Sequence, residues 1–387
     1  MTPDLSIIIV TYYTTPITHL CLWSLAQSGL RHSEVILIDN AGNDPYLKKI
    51  TSDYPFIQLI RNETNEGFGK ACNRGFSMAS GQFIIMMNPD TIVPPDFEEK
   101  TIRFFREHPK TGAMGVKMVD GQGNYLQESK RNFPGPVASF FRFTQIEKAI
   151  PYSKKKWHYY ARHIPDDIPS ETEVLSGSFM VVSREAMKQT GGFDPRYFLY
   201  AEDIDLSWEI SCKGFEVWYN PELPVVHFKG ETSKKSPDYA RLFYDSMGRF
   251  YKKYYNSHHH PLKMALIMVT IKTLAFFSGI KHKFRSTFYR EITFPIRLHP
   301  DSSMDIYHKL KHSFPFEFSK TLQNRKKQNG PPHLLLSTQN ITPQDLIEAI
   351  KNCKTGYYNI ILWHDPSLLF LSDAKHLCQI FPKPNIK

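Results

Sequence analysis

Cysteine is scarce in these 387 residues: the five, at 21, 72, 212, 353 and 378, are scattered, odd in number and never spaced C-x-x-C. That excludes a disulfide framework and a structural zinc site of the usual spacing, and it fits a reduced, cytosolic setting. Long apolar runs are missing near the N-terminus as well. The opening MTPDLSIIIVTYY has no basic leader, and its run from Leu5 to Val10 is too short for a signal-peptide core, so it is read as mature structure. No G-x-G-x-x-G follows this first apolar run, where TYYTTP stands instead, and the nearest match, Gly67-Phe68-Gly69, comes only after the third run. A nicotinamide or flavin dinucleotide is therefore not expected, and there is no Walker loop to cradle a triphosphate. Carboxylates are absent from one long stretch: residues 246–290 hold nine Lys and Arg and no Asp or Glu.

What is present belongs to a folded chain. Hydrophobic residues make up 41%, with 28 Phe and 20 Tyr, and such aromatic content excludes a disordered or fibrous protein. The length suggests about two to three domains of roughly 150 residues. The net charge of +10 is local, because between Lys229 and Lys327 20 basic residues stand against 7 acidic ones and the remainder is slightly acidic. Basic residues interleaved with MALIMVTI and LAFF suit an anionic membrane surface, where each is worth about 1 kcal/mol. A nucleic-acid contact and a basic helix with solvated lysines are the alternatives. A transmembrane span is disfavoured by Lys272 near the middle of the apolar stretch 264–280, since a central lysine costs ~2.5 kcal/mol or more on insertion scales.

The first 120 residues alternate short β-branched runs with helical stretches, which predicts an α/β domain with a largely parallel sheet. Strands are expected at 6–10, 34–39, 57–61, 83–88 and 112–119, and helices at 18–28, 45–53, 67–79 and 94–108. Ligands of such sheets collect at the carboxyl ends of the strands, and those ends carry Thr11, Asp39, Asn62–Asn65 and Asn88–Asp90. Residues 121–170 show no clean period and read as an irregular insertion over the same edge. Strand character resumes at 174–183, a helix is expected at 184–189, and GGFDPRYFLYAEDIDLSWEISCKG is a turn leading into a helix. Two further strands, 215–219 and 224–228, close the domain. Residues 332–387 form a small strand–helix–strand unit. The expected division is therefore 1–235, a basic helical segment at 236–300, and a C-terminal α/β extension at 301–387.

Seven motifs now stand in register: SIIIVTYY, VILIDNAG, NEGFGKACNRG, MMNPDT, SGSFMVVSREA, GGFDPRYFLYAEDIDL and VVHFKGETS. In this order and spacing they resemble the family-2 inverting glycosyltransferases, the rhamnosyltransferase-like branch above all, over about residues 4–235. The resemblance implies a nucleotide-sugar-binding GT-A fold, a divalent cation (Mg²⁺ or Mn²⁺), and transfer of a sugar, such as rhamnose, from a dTDP- or UDP-sugar to a hydroxyl of a lipid-linked or growing surface glycan. Taken with the basic stretch 246–290, the resemblance predicts a cytoplasmic enzyme held peripherally at the inner face of the membrane through its anionic lipid, with no nucleic-acid partner. A non-catalytic relative that keeps only the carbohydrate or nucleotide-sugar pocket is the alternative.

The residues fit these roles chemically. Asp39 at a strand end can accept a hydrogen bond from a nucleobase ring N–H, with Thr11 and Tyr13 as pocket walls and Asn65 and Gly67 near the base or ribose. Asp39 capping its own turn, and Gly67 with Gly69 simply starting a helix, are the structural alternatives. Asn is usual in the family where Tyr13 stands. Asn88-Pro89-Asp90 matches the D-x-D element, with only the last acid kept, and His227 matches a position that supplies an imidazole to the metal in relatives. Asp203 is expected to be the base that takes the acceptor proton and Glu202 its orienting partner, with capping of a first helical turn as the alternative. Gly177 would let the sugar approach the backbone, and Tyr200 and Trp208 could stack on sugar faces, although packing suits Trp208 better. Asp205 is expected to pair structurally, and relatives often carry Arg where Glu209 stands. The run His258–His260 reads as a solvated turn.

Overall fold

The computed structural model describes residues 3–228 apart from 14–15, 45–46, 122, 145 and 152–156, then 239–255, 268–269 and 273, and in the C-terminal part 296–297, 318–319, 333–337, 341–353, 359–364, 367–370 and 378–380. Most of the basic stretch 246–290, including His258–His260, therefore lies outside the described residues.

The β-branched runs become a parallel half-sheet. β1 (Leu5–Thr11) is followed by α1 (Pro16–Gln27), β2 (Ser33–Asp39), α2 (Leu47–Asp53), β3 (Ile57–Arg61), α3 (Phe68–Met78) and β4 (Phe83–Met87). β1 lies between β2 and β4, all parallel, and β3 continues the sheet beyond β2. Both faces are covered, which is why β1 and β4 are buried at every residue. Odd and even positions part company as a period of two requires. Ile7, Ile9, Leu37 and Ile85 pack with α1 and α2 and with Phe97, Phe104 and Phe105, whereas Ile8, Ile36, Ile38 and Ile84 pack with α3 and with Met187, Leu206 and Ile210.

The second half reverses direction. β5 (Thr91–Ile92), α4 (Phe97–Glu107) and β6 (Thr111–Val119) follow, then the aperiodic stretch with α5 (Pro136–Thr144), β7 (Ser170–Glu171), β8 (Phe179–Ser183), α6 (Arg184–Thr190), α7 (Glu202–Cys212) and β9 (Glu216–His227). The strand order is β3-β2-β1-β4-β8-β6-β9-β5, with β7 on β9. β8 is antiparallel to β4 and β6, and β9 is parallel to β6, so six of the nine strands run one way. The two strands expected at 215–219 and 224–228 are one strand. Its register on β6 jumps from Asn220 to Pro224, and this bulge accommodates Pro221 and Pro224, which cannot donate to a regular ladder.

Two later elements pack on this domain. α8 (Tyr239–Tyr255) buries Phe250 and Tyr251 against Val174, Tyr197 and Ile204. The C-terminal helix Pro343–Cys353 buries Leu346, Ile347 and Ile350 against Ile17, Leu20 and Trp23 of α1. Residues 333–337, 359–364, 367–370 and 378–380 form a four-stranded sheet in that order, parallel in its first pair and antiparallel thereafter. Among the described residues no helix is long and apolar enough to cross a membrane.

Candidate active site

The carboxyl ends of β1, β2 and β4 open into a cleft of about 1220 Å³, closed on its far side by α7, α5 and α8. Its near wall is polar. Asn65, at the turn before α3, accepts from Gly67 N (3.0 Å) and from Asn40 Nδ2 (2.9 Å). Asn40 in turn accepts from Asn62 Nδ2 (2.8 Å) and Glu66 N (3.1 Å). Sequence reasoning passed over Asn40, because an Asn after a strand reads as turn chemistry. Gly67 has φ +84, and a Cβ there would collide with the Phe198 carbonyl. Only glycine fits that approach.

The expected nucleobase wall is partly rearranged. Val10, Tyr12 and Asn40 line the cleft. Thr11 is fully buried and its hydroxyl donates to Ile38 O (3.2 Å). Tyr13 has a left-handed backbone (φ 61) and a half-exposed ring off the lining. Side chains alternate along an extended strand, so Val10 and Tyr12 reach the face that Thr11 cannot. Asp39 divides its oxygens: Oδ1 caps the following turn, accepting from Ala41 N (3.0 Å) and Gly42 N (3.1 Å), while buried Oδ2 has no hydrogen-bond partner. The capping role and a remaining acceptor thus coexist.

Deeper in, Asn88, Asp90 and His227 come together. β5 pairs with β9 so that Thr91 faces His227, and this brings the imidazole Nε2 to 3.3 Å from Asp90 Oδ1 and 3.5 Å from Asn88 Nδ2. Asp90 is 2% exposed, neither of its oxygens has a hydrogen-bond partner, and His227 Nδ1 is likewise unpartnered. Burying a carboxylate without donors is costly. A divalent cation at this point would relieve that cost, and carboxylate oxygen with imidazole nitrogen is a donor set that Mn²⁺ accepts and Mg²⁺ tolerates. Among the described residues no three or more His, Cys, Asp and Glu cluster as a metal site.

Opposite stands the acidic start of α7. Tyr200 and Ala201 both have positive φ, a backbone strain that non-glycine residues bear where surrounding structure holds them. That bend presents Glu202 and Asp203 to the cleft. Asp203 Oδ2 accepts from Arg131 (2.6 Å) and from Gly177 N (3.0 Å), and Oδ1 accepts from Ile204 N (2.8 Å). Gly177 therefore holds the carboxylate, and its missing side chain leaves room for Asp203, whose Cβ lies 3.2 Å from an added Cβ. Arg131 is the other residue that sequence reasoning missed: one Arg inside an aperiodic insertion carries no positional signal. Burial opposes its charge, but Asp203 beside it holds the guanidinium firmly protonated, and it also donates to Leu175 O and to Tyr159 Oη (3.3 Å). Glu202 is 6% exposed, and burial, with Asp203 next to it, pushes its carboxyl up to about 8. Tyr200 lines the cleft, whereas Trp208 stacks on Phe133 at 3.9 Å and serves packing.

Residues 6–191 match Glycosyl transferase family 2. An N-acetylglucosaminyl-diphospho-decaprenol L-rhamnosyltransferase of Mycobacterium tuberculosis is 30% identical over 251 residues, 61% of this chain and 80% of that protein. A poly-beta-1,6-N-acetyl-D-glucosamine synthase of Staphylococcus epidermidis is 23% identical over 222 residues, 56% of this chain and 48% of its own length. Among solved structures, S. aureus TarS in complex with UDP-GlcNAc aligns with 73% of this chain and 76% of its own at 17% identity and a TM-score of 0.46. With the mycobacterial enzyme matched over four fifths of its length, the chain belongs to glycosyl transferase family 2 and is a GT-A-fold, rhamnosyltransferase-like glycosyltransferase.

Proposed function

We propose that this enzyme transfers a sugar, with rhamnose the first choice, from a dTDP- or UDP-linked donor to a hydroxyl of a lipid-linked or growing surface glycan, with inversion. The observation that carries the reading is Asp203, an acid fixed by Arg131, Gly177 and Ile204 in a cleft that also holds the Asp90–His227 pair. A carboxylate offers about four lone-pair positions, three are filled here, and the one left on Oδ1 is free for an acceptor hydroxyl. In a single displacement that oxygen takes the hydroxyl proton as the acceptor oxygen bonds to the anomeric carbon, and the electron pair of the breaking C–O bond leaves with the nucleoside diphosphate. Attack opposite the leaving group inverts the centre. Glu202, neutral at pH 7, donates a hydrogen bond and orients the acceptor without competing for its proton. Asn65 and Gly67 line the part of the cleft assigned to the nucleoside, while Asp39 is fully buried off that lining. A divalent cation held by Asp90 and His227 would neutralise the diphosphate charge as it develops.

The acceptor class draws support from the mycobacterial relative, whose name specifies a decaprenol diphosphate-linked sugar. A peripheral position on the cytoplasmic face of an anionic membrane is consistent with the local basicity of 229–327.

The test is a panel of nucleotide sugars screened for thermal stabilisation with and without Mn²⁺, followed by transfer assays with Asp203→Asn. A base acts in the transition state, so the variant is expected to lose transfer while donor affinity stays within a few-fold, and excess chelator should stop the wild type. Near-normal turnover by the variant would remove Asp203 as base. Donor binding with no transfer to any acceptor would favour the non-catalytic reading.

A further inference from the structure

α8 reaches the catalytic helix through a cluster of charge that the reaction itself does not use. Lys253 Nζ lies 2.7 and 2.9 Å from the two oxygens of Asp205, 3.0 Å from Glu209 and 3.4 Å from Asp194. The Tyr254 hydroxyl, with one proton to donate, lies 2.7 Å from Asp205 Oδ1 and 2.9 Å from Glu209 Oε1, and that of Tyr197 reaches Asp205 at 3.3 Å. The Asp205 side chain is 2% exposed. Two turns earlier on α8, Ser246 Oγ donates to Leu199 O (2.7 Å), in the bend that presents Glu202 and Asp203.

Asp205 and Glu209 are four residues apart on α7 and therefore share a face, where two like charges oppose the helix. A basic residue at 209 would complement Asp205 within the helix. Here that position adds a second acid, and the cation comes from another element. We infer that Lys253 is a positioning residue: it supplies from α8 the charge that α7 lacks, and so fixes α8 as a wall of the acceptor side of the cleft. Arg241, Ser246, Arg249 and Phe250 of the same helix line that cleft together with Asp203. Buried ion pairs are poor sources of net stability, and their best-attested use is to set register. A lysine that must meet Asp205, Glu209 and Asp194 at once, while Ser246 meets Leu199, is satisfied at one setting of α8 only.

The kinetic part of this inference rests on the glycosyltransfer reading, and the structural part does not. In the full chain, Lys253→Met should accelerate amide hydrogen exchange across 239–255 and leave β1–β4 unchanged. It should also raise the acceptor KM by about tenfold, with kcat and donor KM within about twofold, because a displaced wall weakens acceptor binding before it touches donor chemistry. Lys253→Arg should restore both. If Lys253→Met does not fold, Tyr254→Phe removes one hydroxyl from the same cluster and should shift exchange and acceptor KM in the same direction by less. Unchanged exchange over α8 overturns the inference, as does an equal rise in donor and acceptor KM that Lys253→Arg fails to reverse. A wild type that transfers no sugar would refute the proposed function alone, since exchange over α8 still decides the role of Lys253.

Discussion

Glu202 and Asp203 are neighbours with opposite environments, and their difference is a matter of a few ångströms. Asp203 faces a guanidinium and two backbone N–H groups, while Glu202 has a buried Oε2 with no partner. Burial first, and Asp203 second, push the Glu202 carboxyl up to about 8 from its ordinary 4.5. The folded state then binds this proton more tightly than the unfolded chain does. The stability Glu202 contributes is accordingly complete below about 4.5 and is lost as pH rises through about 8. Glu202→Gln keeps the neutral shape and cannot ionise, so its urea-unfolding free energy should fall less than the wild type's across that window. Parallel pH profiles for the two proteins would show that Glu202 does not titrate there.

At the scale of elements, the site depends on how turns end strands. The bend before α3 requires Gly67 at φ +84 with its backbone against Phe198, and Phe68 N donates to the same Phe198 carbonyl (3.0 Å). The turn before α3 is thereby fastened to the segment that leads into α7. Gly67→Ala should cost about 1–3 kcal/mol of stability through strain and weaken nucleotide-sugar binding, measured by calorimetric unfolding and donor titration. A variant with unaltered donor affinity would separate this turn from the donor. β9 behaves similarly: the residues between the two expected strands sit in a bulge, and the continuous strand is what carries His227 to Asp90.

At the scale of the whole molecule, the C-terminal helix Pro343–Cys353 touches the sheet domain through α1. Ile347 is fully buried in a cluster with Ile17, Leu20 and Trp23. α1 also carries Ser24, which accepts from Val93 N (3.3 Å), and Cys21, whose Sγ lies 3.9 Å from Asn88 O. One helix therefore separates the extension from the turn that bears Asp90. Ile347→Ala should destabilise the full chain by about 2–5 kcal/mol, as other core truncations do, with a corresponding drop in Tm. An unchanged Tm would mean that this helix is not docked on α1 in solution.

The sequence by itself determined the doubly covered sheet and the family, because hydrophobic period and local motif spacing are properties of short stretches of chain. The expected α3 and α4 differ from those observed by one to three residues at their ends. Tertiary structure alone decided that Val10 and Tyr12, and not Thr11 and Tyr13, face the cleft, since strand alternation turns on the register at which β1 leaves the sheet. It alone joined Arg131 to Asp203 across 72 positions and Lys253 to Asp205 across 48. A charge in an aperiodic loop or on a basic helix has no local feature that names its partner. Only the packing that desolvates both ends of such a pair makes the choice.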